Sequence, residues 1–237
     1  MTKEIEVSVR HLKTKKKVKK ILKLTLLFIF LFLFIAFIIM RLIYNDQSVS
    51  ITLDKNLYFK NGIIIYDDPN YKAFRTELNA EGLEYFDNIS EKWLEPDLDN
   101  HDGSHNGDNY LAYTFYIENT GDKVTDYWSQ LIIDGVIKNV DEAIRFKIYR
   151  NGVPTTYAKL AKNGNPENNT MPFVDDKLVT FEHRENFKPG DIDKYTVVMW
   201  LEGSDIDCTD NLLGGELKVH MEFNSEFVDV NSNKEKK

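Results

Sequence analysis

Seventeen consecutive residues, "LTLLFIFLFLFIAFIIM" from Leu24 to Met40, carry no charge, glycine or proline, and they follow directly on the basic run "RHLKTKKKVKKILK". A stretch apolar on every face has no polar side to offer water, so it belongs in lipid rather than on the surface of a soluble domain. At about 1.5 Å per residue the run is slightly short of a hydrocarbon core of roughly 30 Å. Arg41, Leu42 and Ile43 make up the difference, with Lys23 and Arg41 extending their charged heads to the interfaces and Tyr44 placed as an interfacial aromatic. Residues 24–43 are therefore expected to be a single transmembrane anchor and residues 1–23 a basic tail on the cytoplasmic side, where Lys and Arg are retained. The competing reading is a cleaved secretory signal, whose apolar region runs about 7 to 15 residues to a small-x-small site. Here the run is longer, and only Ser48-Val49-Ser50, well past the span, offers such a site.

Charge divides the chain at the same place. Residues 1–44 hold ten Lys or Arg against two Glu, a balance of +8, so the remaining 193 residues carry −16 to give the overall −8. A domain this acidic repels nucleic acid, which excludes that class of partner. Its single cysteine, Cys208, cannot form an internal disulfide, so the domain must rest on its core or on bound ions. Residues 45–228 suffice for one domain with a sizeable core, and "VNSNKEKK" leaves 229–237 as a disordered polar tail.

The domain reads mostly as strands. In "GELKVHMEF", Leu217, Val219, Met221 and Phe223 alternate with Glu216, Lys218, His220 and Glu222, the pattern of a sheet with one wet face. "IRFKIYRNGVPTTYAKL" sets Ile144, Phe146 and Ile148 on one face, and Asn151-Gly152 supplies the positive φ values of a tight hairpin; "NLYFKNGIIIY" repeats that signal at Asn61-Gly62. "YLAYTFYIENTG" and "DKYTVVMWLEG" are apolar on both faces, as central strands are. The expected fold is all-β, a sandwich of jelly-roll or Ig-like type. One segment departs from this. Asp68 and Pro69 read as a helix start, Tyr71, Phe74 and Leu78 fall at helical spacing, and after Gly82 the stripe resumes at Tyr85, Ile89 and Trp93 until Pro96. One or two short helices packed on the sandwich are expected there.

The segments "FYIENTGDKVTDYWSQLIIDG", "FKPGDIDKYTVVMWLEG" and "GGELKVHMEF" resemble the strands of bacterial surface proteins of the TasA and camelysin type, over residues 110–223. The resemblance implies an exported jelly-roll-like sandwich. The chain departs from that pattern in keeping its anchor, where those proteins have a removable signal. "MWLEGSDIDC" is similar to membrane-anchored surface proteins of Gram-positive bacteria, which implies a location rather than an activity.

Two acidic loops are the candidate sites. "LDNHDGSHNGDNY" brings Asp99, Asp102 and Asp108 together with the preceding Asp97, and "GSDIDCTDN" holds Asp205, Asp207 and Asp210. Calcium takes six to eight oxygens, which these carboxylates with nearby Asn side chains and carbonyls would supply, more so if the two loops meet in space. The spacing is not that of an EF-hand, since Asp102 rather than Gly103 falls at the sixth position counted from Asp97. The plain alternative is a polar surface turn at Asn106-Gly107, and both readings stay open. His101 and His105, four apart, share a face only on a helix, which Gly103 and the flanking Asn and Asp residues disfavour, so zinc is not expected.

Signs of an enzyme are weak. Cys208 lies between Asp207 and Thr209, and the neighbouring carboxylates oppose formation of a thiolate. "GSHNG" is not a nucleophile elbow, and acidic pairs are too abundant in this domain to single out a glycosidase. Tyr127-Trp128 and Trp200 would stack on a ligand if exposed, but such residues in strands are more often core. The sequence reading is thus a non-enzymatic, membrane-anchored surface protein with an interaction or structural role. Its partner class is a cell-surface or cell-wall protein or glycan. An extracytoplasmic enzyme acting on glycan or peptide is the first alternative, and an accessory subunit of a membrane complex the second.

Overall fold

A computed structural model describes residues 2–44, 49–73, 75–83, 85 and 87–226. It divides into two units, residues 1–45 and 46–237. The first is one helix, α1 (Thr2–Tyr44), of which Lys17–Ile39 is long and apolar enough to cross a membrane. Those 23 residues rise about 35 Å, enough for a hydrocarbon core.

Among the described residues of the second unit, one helix and twelve strands form the frame. They are β1 (Val49–Leu53), α2 (Lys55–Asn61), β2 (Ile63–Tyr66), β3 (Glu77–Asn79), β4 (Gly103–Ser104), β5 (Tyr110–Asn119), β6 (Thr125–Ile137), β7 (Ile144–Arg150), β8 (Val153–Ala158), β9 (Met171–Pro172), β10 (Leu178–Phe187), β11 (Ile192–Leu201) and β12 (Glu216–Asn224). One sheet has the order β10-β6-β12-β1-β3 and the other β2-β5-β11-β7-β8-β9, with β4 also paired to β5. Pairing is antiparallel except for β1 beside β12 and β9 beside β8. The expected all-β sandwich is therefore the fold.

Alternation explains the layers. Leu217, Val219, Met221 and Phe223 of β12 are buried while their neighbours reach the opposite face. Phe223 meets Phe115 of β5 at 5.8 Å and Tyr195 of β11 at 5.3 Å across the core, and Tyr127 of the neighbouring strand β6 at 5.6 Å, ring centre to ring centre. Edge-to-face aromatic pairs of this kind add to the burial of their area. Asn151 and Gly152, with φ of 51° and 83°, close the β7–β8 hairpin as the sequence indicates.

The doubly apolar strands β5 and β11 have a covered outer face. Tyr110, Ala112, Val198 and Trp200 project there and pack with Ile89 and Leu98 in a second core. The strap that brings Ile89 and Leu98 over the sheet is the segment read from sequence as helical. That expectation is corrected: Asp68 accepts the Asn70 N–H in a local turn, and Leu78 lies in β3, on the edge of β1. Ile89 bridges to Glu202, and among the described residues of the segment only the short 3-10 turn Glu91–Trp93 is helical. Sheet edges with open hydrogen-bonding groups hold the backbone extended, and Tyr71, Tyr85 and Trp93 stay exposed. Phe74, the 229–237 tail and Ser48 of the small-x-small site lie outside the described residues.

A second correction concerns Asn61-Gly62. This pair ends α2 rather than turning a hairpin: Asp54 caps the start, and Gly62, at φ 71°, donates to Leu57 and Tyr58 carbonyls at the end. Only Ile63–Tyr66 of that stretch is strand.

Candidate functional site

The first acidic loop lies along the outer face of β5 and β11, and most of its polar groups serve that attachment. Asp99 accepts the Thr196 hydroxyl at 2.7 Å, and Thr196 in turn accepts from Thr114 at 2.7 Å. The Lys194 ammonium stands 3.6 Å from the Asp99 carboxylate and also donates to its main-chain carbonyl. Asp102 accepts the Tyr116 hydroxyl at 2.5 Å; burial, then this bond, pushes the phenol's pKa upward. Asn106 accepts the Ala112 N–H at 2.9 Å and donates to the Glu81 carbonyl at 2.8 Å. The turn itself closes from Gly107 to Tyr110, where a side chain on Gly107 would overlap the Tyr110 ring. It is thus centred on Asp108 and Asn109 rather than on Asn106-Gly107. Asp108 is exposed and, with Glu95 and Asp97, adds to the burial that raises the Tyr110 pKa.

Among the described residues, one of these four acids, Asp97, joins a cluster of three carboxylate and imidazole side chains. Glu95, Asp97 and His101 hold their ligand atoms within 4.8 Å of one another, all exposed. Glu95 was not legible as a member, because the 3-10 turn Leu98–Asn100 lies between it and His101. His101 and His105 lie 5.3 Å apart between ring centres in this non-helical loop. His105 Nδ1 lies 2.9 Å from the Gly103 carbonyl, which places its proton on that nitrogen, and burial lowers its pKa.

The second loop is also committed to the fold. Asp205 is buried and receives the Arg145 guanidinium at 2.5 Å, with Glu167 3.7 Å from the same group. Asp205 further accepts the Asp207 N–H at 2.8 Å, and Asp207 pairs with Lys162. Asp210 is exposed in a short turn. Lys194, Arg145 and Lys162 thus draw the acids of the two loops to separate places. Glu202, missed at the level of sequence, ties the strap down by accepting from the Glu91 N–H, the Trp200 indole and Ser204. Burial opposes its charge, but bonds from Ser204 and Trp200 outweigh this and hold its pKa low. Cys208 is half-buried, and burial followed by Asp205, Glu202 and Asp87 pushes its thiol pKa up. Tyr127 and Trp200 are core, whereas Trp128 is half-buried and stacks on His183 at 4.1 Å.

A cavity of about 240 Å³ opens where β7 begins, β11 ends and β12 begins. Val140, Ile144, Leu201, Leu212 and Leu217 line it, Cys208 forms part of its wall, and Asp87, Asp210 and Glu216 add carboxylates.

No family model matches the chain, and no curated protein does. Among solved structures, it is similar to a β-glucosidase from Kluyveromyces marxianus in complex with glucose, with 12% identity and a TM-score of 0.26. That match covers 73% of this chain and 16% of the enzyme's. The selenomethionine form of the same enzyme gives 11% identity and a TM-score of 0.24, over 72% and 17% of the two chains. The chain thus spans about a sixth of the enzyme it matches, at a likeness too low to carry an argument.

Proposed function

We propose that this chain is a single-pass surface protein, N-terminus in the cytoplasm, whose exported sandwich serves interaction or structure rather than catalysis. The observation that carries the reading is the place of β1. Val49 and Ser50 of the small-x-small site belong to that strand, where Val49 and Ile51 are fully buried and Val49 pairs with Val219 of β12. Cleavage after Ser50 would remove two of its five residues, together with the carbonyl that accepts the Ala80 N–H. Cleavage at that site would thus cut into the folded domain, which supports retention of the anchor. The deeply buried carboxylates of Asp193, Glu202 and Asp205 are engaged in hydrogen bonds or ion pairs within the domain, which supports a structural use of its acids.

The test is the intact mass of the protein from purified membranes, combined with protease treatment of intact cells. Retention of residues 24–43 with an externally digestible acidic domain is expected. A released species beginning near residue 50, or a domain protected from external protease, would overturn the reading.

A further inference from the structure

We propose that the cavity between the β7, β11 and β12 ends binds a small organic cation, its apolar body inside and its protonated amine at the carboxylates. The volume sets the body. An apolar cavity of about 150 Å³ accommodates benzene, so 240 Å³ admits one aromatic ring with a short chain. The walls decide its character: Val140, Ile144, Leu201, Leu212 and Leu217 are hydrocarbon, and the Cys208 thiol, held protonated, adds no charge. Leu213, which also lines the cavity, is 59% exposed. An apolar ligand body would cover it.

Charge selects the ligand's other end. Asp87, Asp210 and Glu216 line the cavity, and among the described residues none of the three forms an ion pair with a Lys, Arg or His. The Lys138 ammonium, which donates to the Leu213 carbonyl, sets one positive charge against these three carboxylates and leaves that end of the cavity net negative. An anionic ligand would face this field, while an ammonium would complement it.

Cys208 is the chain's only cysteine, so its alkylation reports directly on the cavity. The full chain in lipid nanodiscs would be treated with iodoacetamide and followed by intact mass, in the presence of phenethylamine, 2-phenylethanol or phenylacetate. These share a ring and differ in charge. Saturable protection by phenethylamine is expected, about tenfold weaker protection by the alcohol, as for one lost ion pair, and none by the carboxylate. A free amine and a peptide amino terminus share this chemistry, so the tripeptide amide of Phe-Gly-Gly in the same assay distinguishes the sources by its relative affinity. Calorimetry on the same sample reads binding that leaves the thiol accessible. The double variant Asp210→Asn, Glu216→Gln, both at half-buried or exposed positions, should narrow the gap between amine and alcohol while leaving the melting temperature unchanged. Equal protection by all three probes, no binding by either readout, or full discrimination in the double variant would each overturn the proposal.

Discussion

Replacing Asp193 by Ala should cost the sandwich more than any single change in its first acidic loop. Asp193 is 3% exposed near the start of β11 and is the hub of a buried polar network. It accepts the Tyr127 hydroxyl at 2.5 Å, the Asn151 amide at 2.8 Å and the Arg184 Nε at 3.0 Å, with Arg150 at 3.7 Å. The Tyr127 hydroxyl also meets that of Tyr195 at 3.1 Å, and both rings are buried. Burial works against the Asp193 charge, but the bonds from Tyr127 and Asn151 and the two guanidinium groups hold its pKa below the usual value. Removing one partner of a buried charged cluster costs about 3–5 kcal/mol. The side chains of Arg150 and Arg184 are about a quarter exposed, so water recovers part of this, and about 3 kcal/mol is expected. For a domain of this size that lowers the melting temperature by about 6–12 °C. Thermal unfolding of the full chain by near-UV circular dichroism measures it. Because the folded pKa is depressed, the contribution is present above the unfolded value of about 3.9 and is lost as pH falls through the folded one. The gap between wild type and Asp193→Ala should therefore close in acid. A shift below about 2 °C at pH 7, or one unchanged at pH 2, would refute the reasoning.

Other expectations rest on the same geometry. Gly121→Ala should destabilise by about 1–3 kcal/mol in denaturant titration, since a Cβ there overlaps the Asn61 carbonyl oxygen, which is backbone and cannot swing away. Asp102→Ala should lose the Tyr116 bond and about 1 kcal/mol, equally in calcium and in chelator; a loss confined to calcium would show that the carboxylate serves an ion instead. His220 is held at a pKa of about 9 by bonds to Asp134 and Glu222. That raised value means its stabilisation is complete below about 6.5 and disappears as pH rises through 9. The melting temperature of His220→Gln should accordingly lie below wild type at pH 6 and approach it at pH 10, and an NMR titration midpoint near 6.5 would contradict the assignment.

Much of the architecture was readable because it is written locally. The period of two in Leu217 to Phe223 arises from the strand's own geometry, and Asn151-Gly152 meets the positive φ of a tight turn without help from elsewhere. The doubly apolar β5 and β11 announced a covered outer face but not what covers it. The strap was misread because its apolar residues do fall at helical spacing. Leu78 and Ile89 are claimed instead by β1 and by Glu202, hydrogen-bonding partners distant in sequence. Asn61-Gly62 shows the same ambiguity on a smaller scale, since a left-handed Gly suits a hairpin and a helix end alike, and the residues before it decide.

By itself the sequence determined the apolar helix, the acidic character of the domain beyond it and the layering of the sheets, all properties of composition or short periodicity. Only the tertiary structure decided what each carboxylate does. Asp97 and Asp99 are two residues apart, yet one stands exposed with Glu95 and His101 while the other is taken by Thr196 and Lys194 from a strand nearly a hundred residues away. A charge acquires its role from the donor or cation that faces it, and in a sandwich that partner comes from another strand.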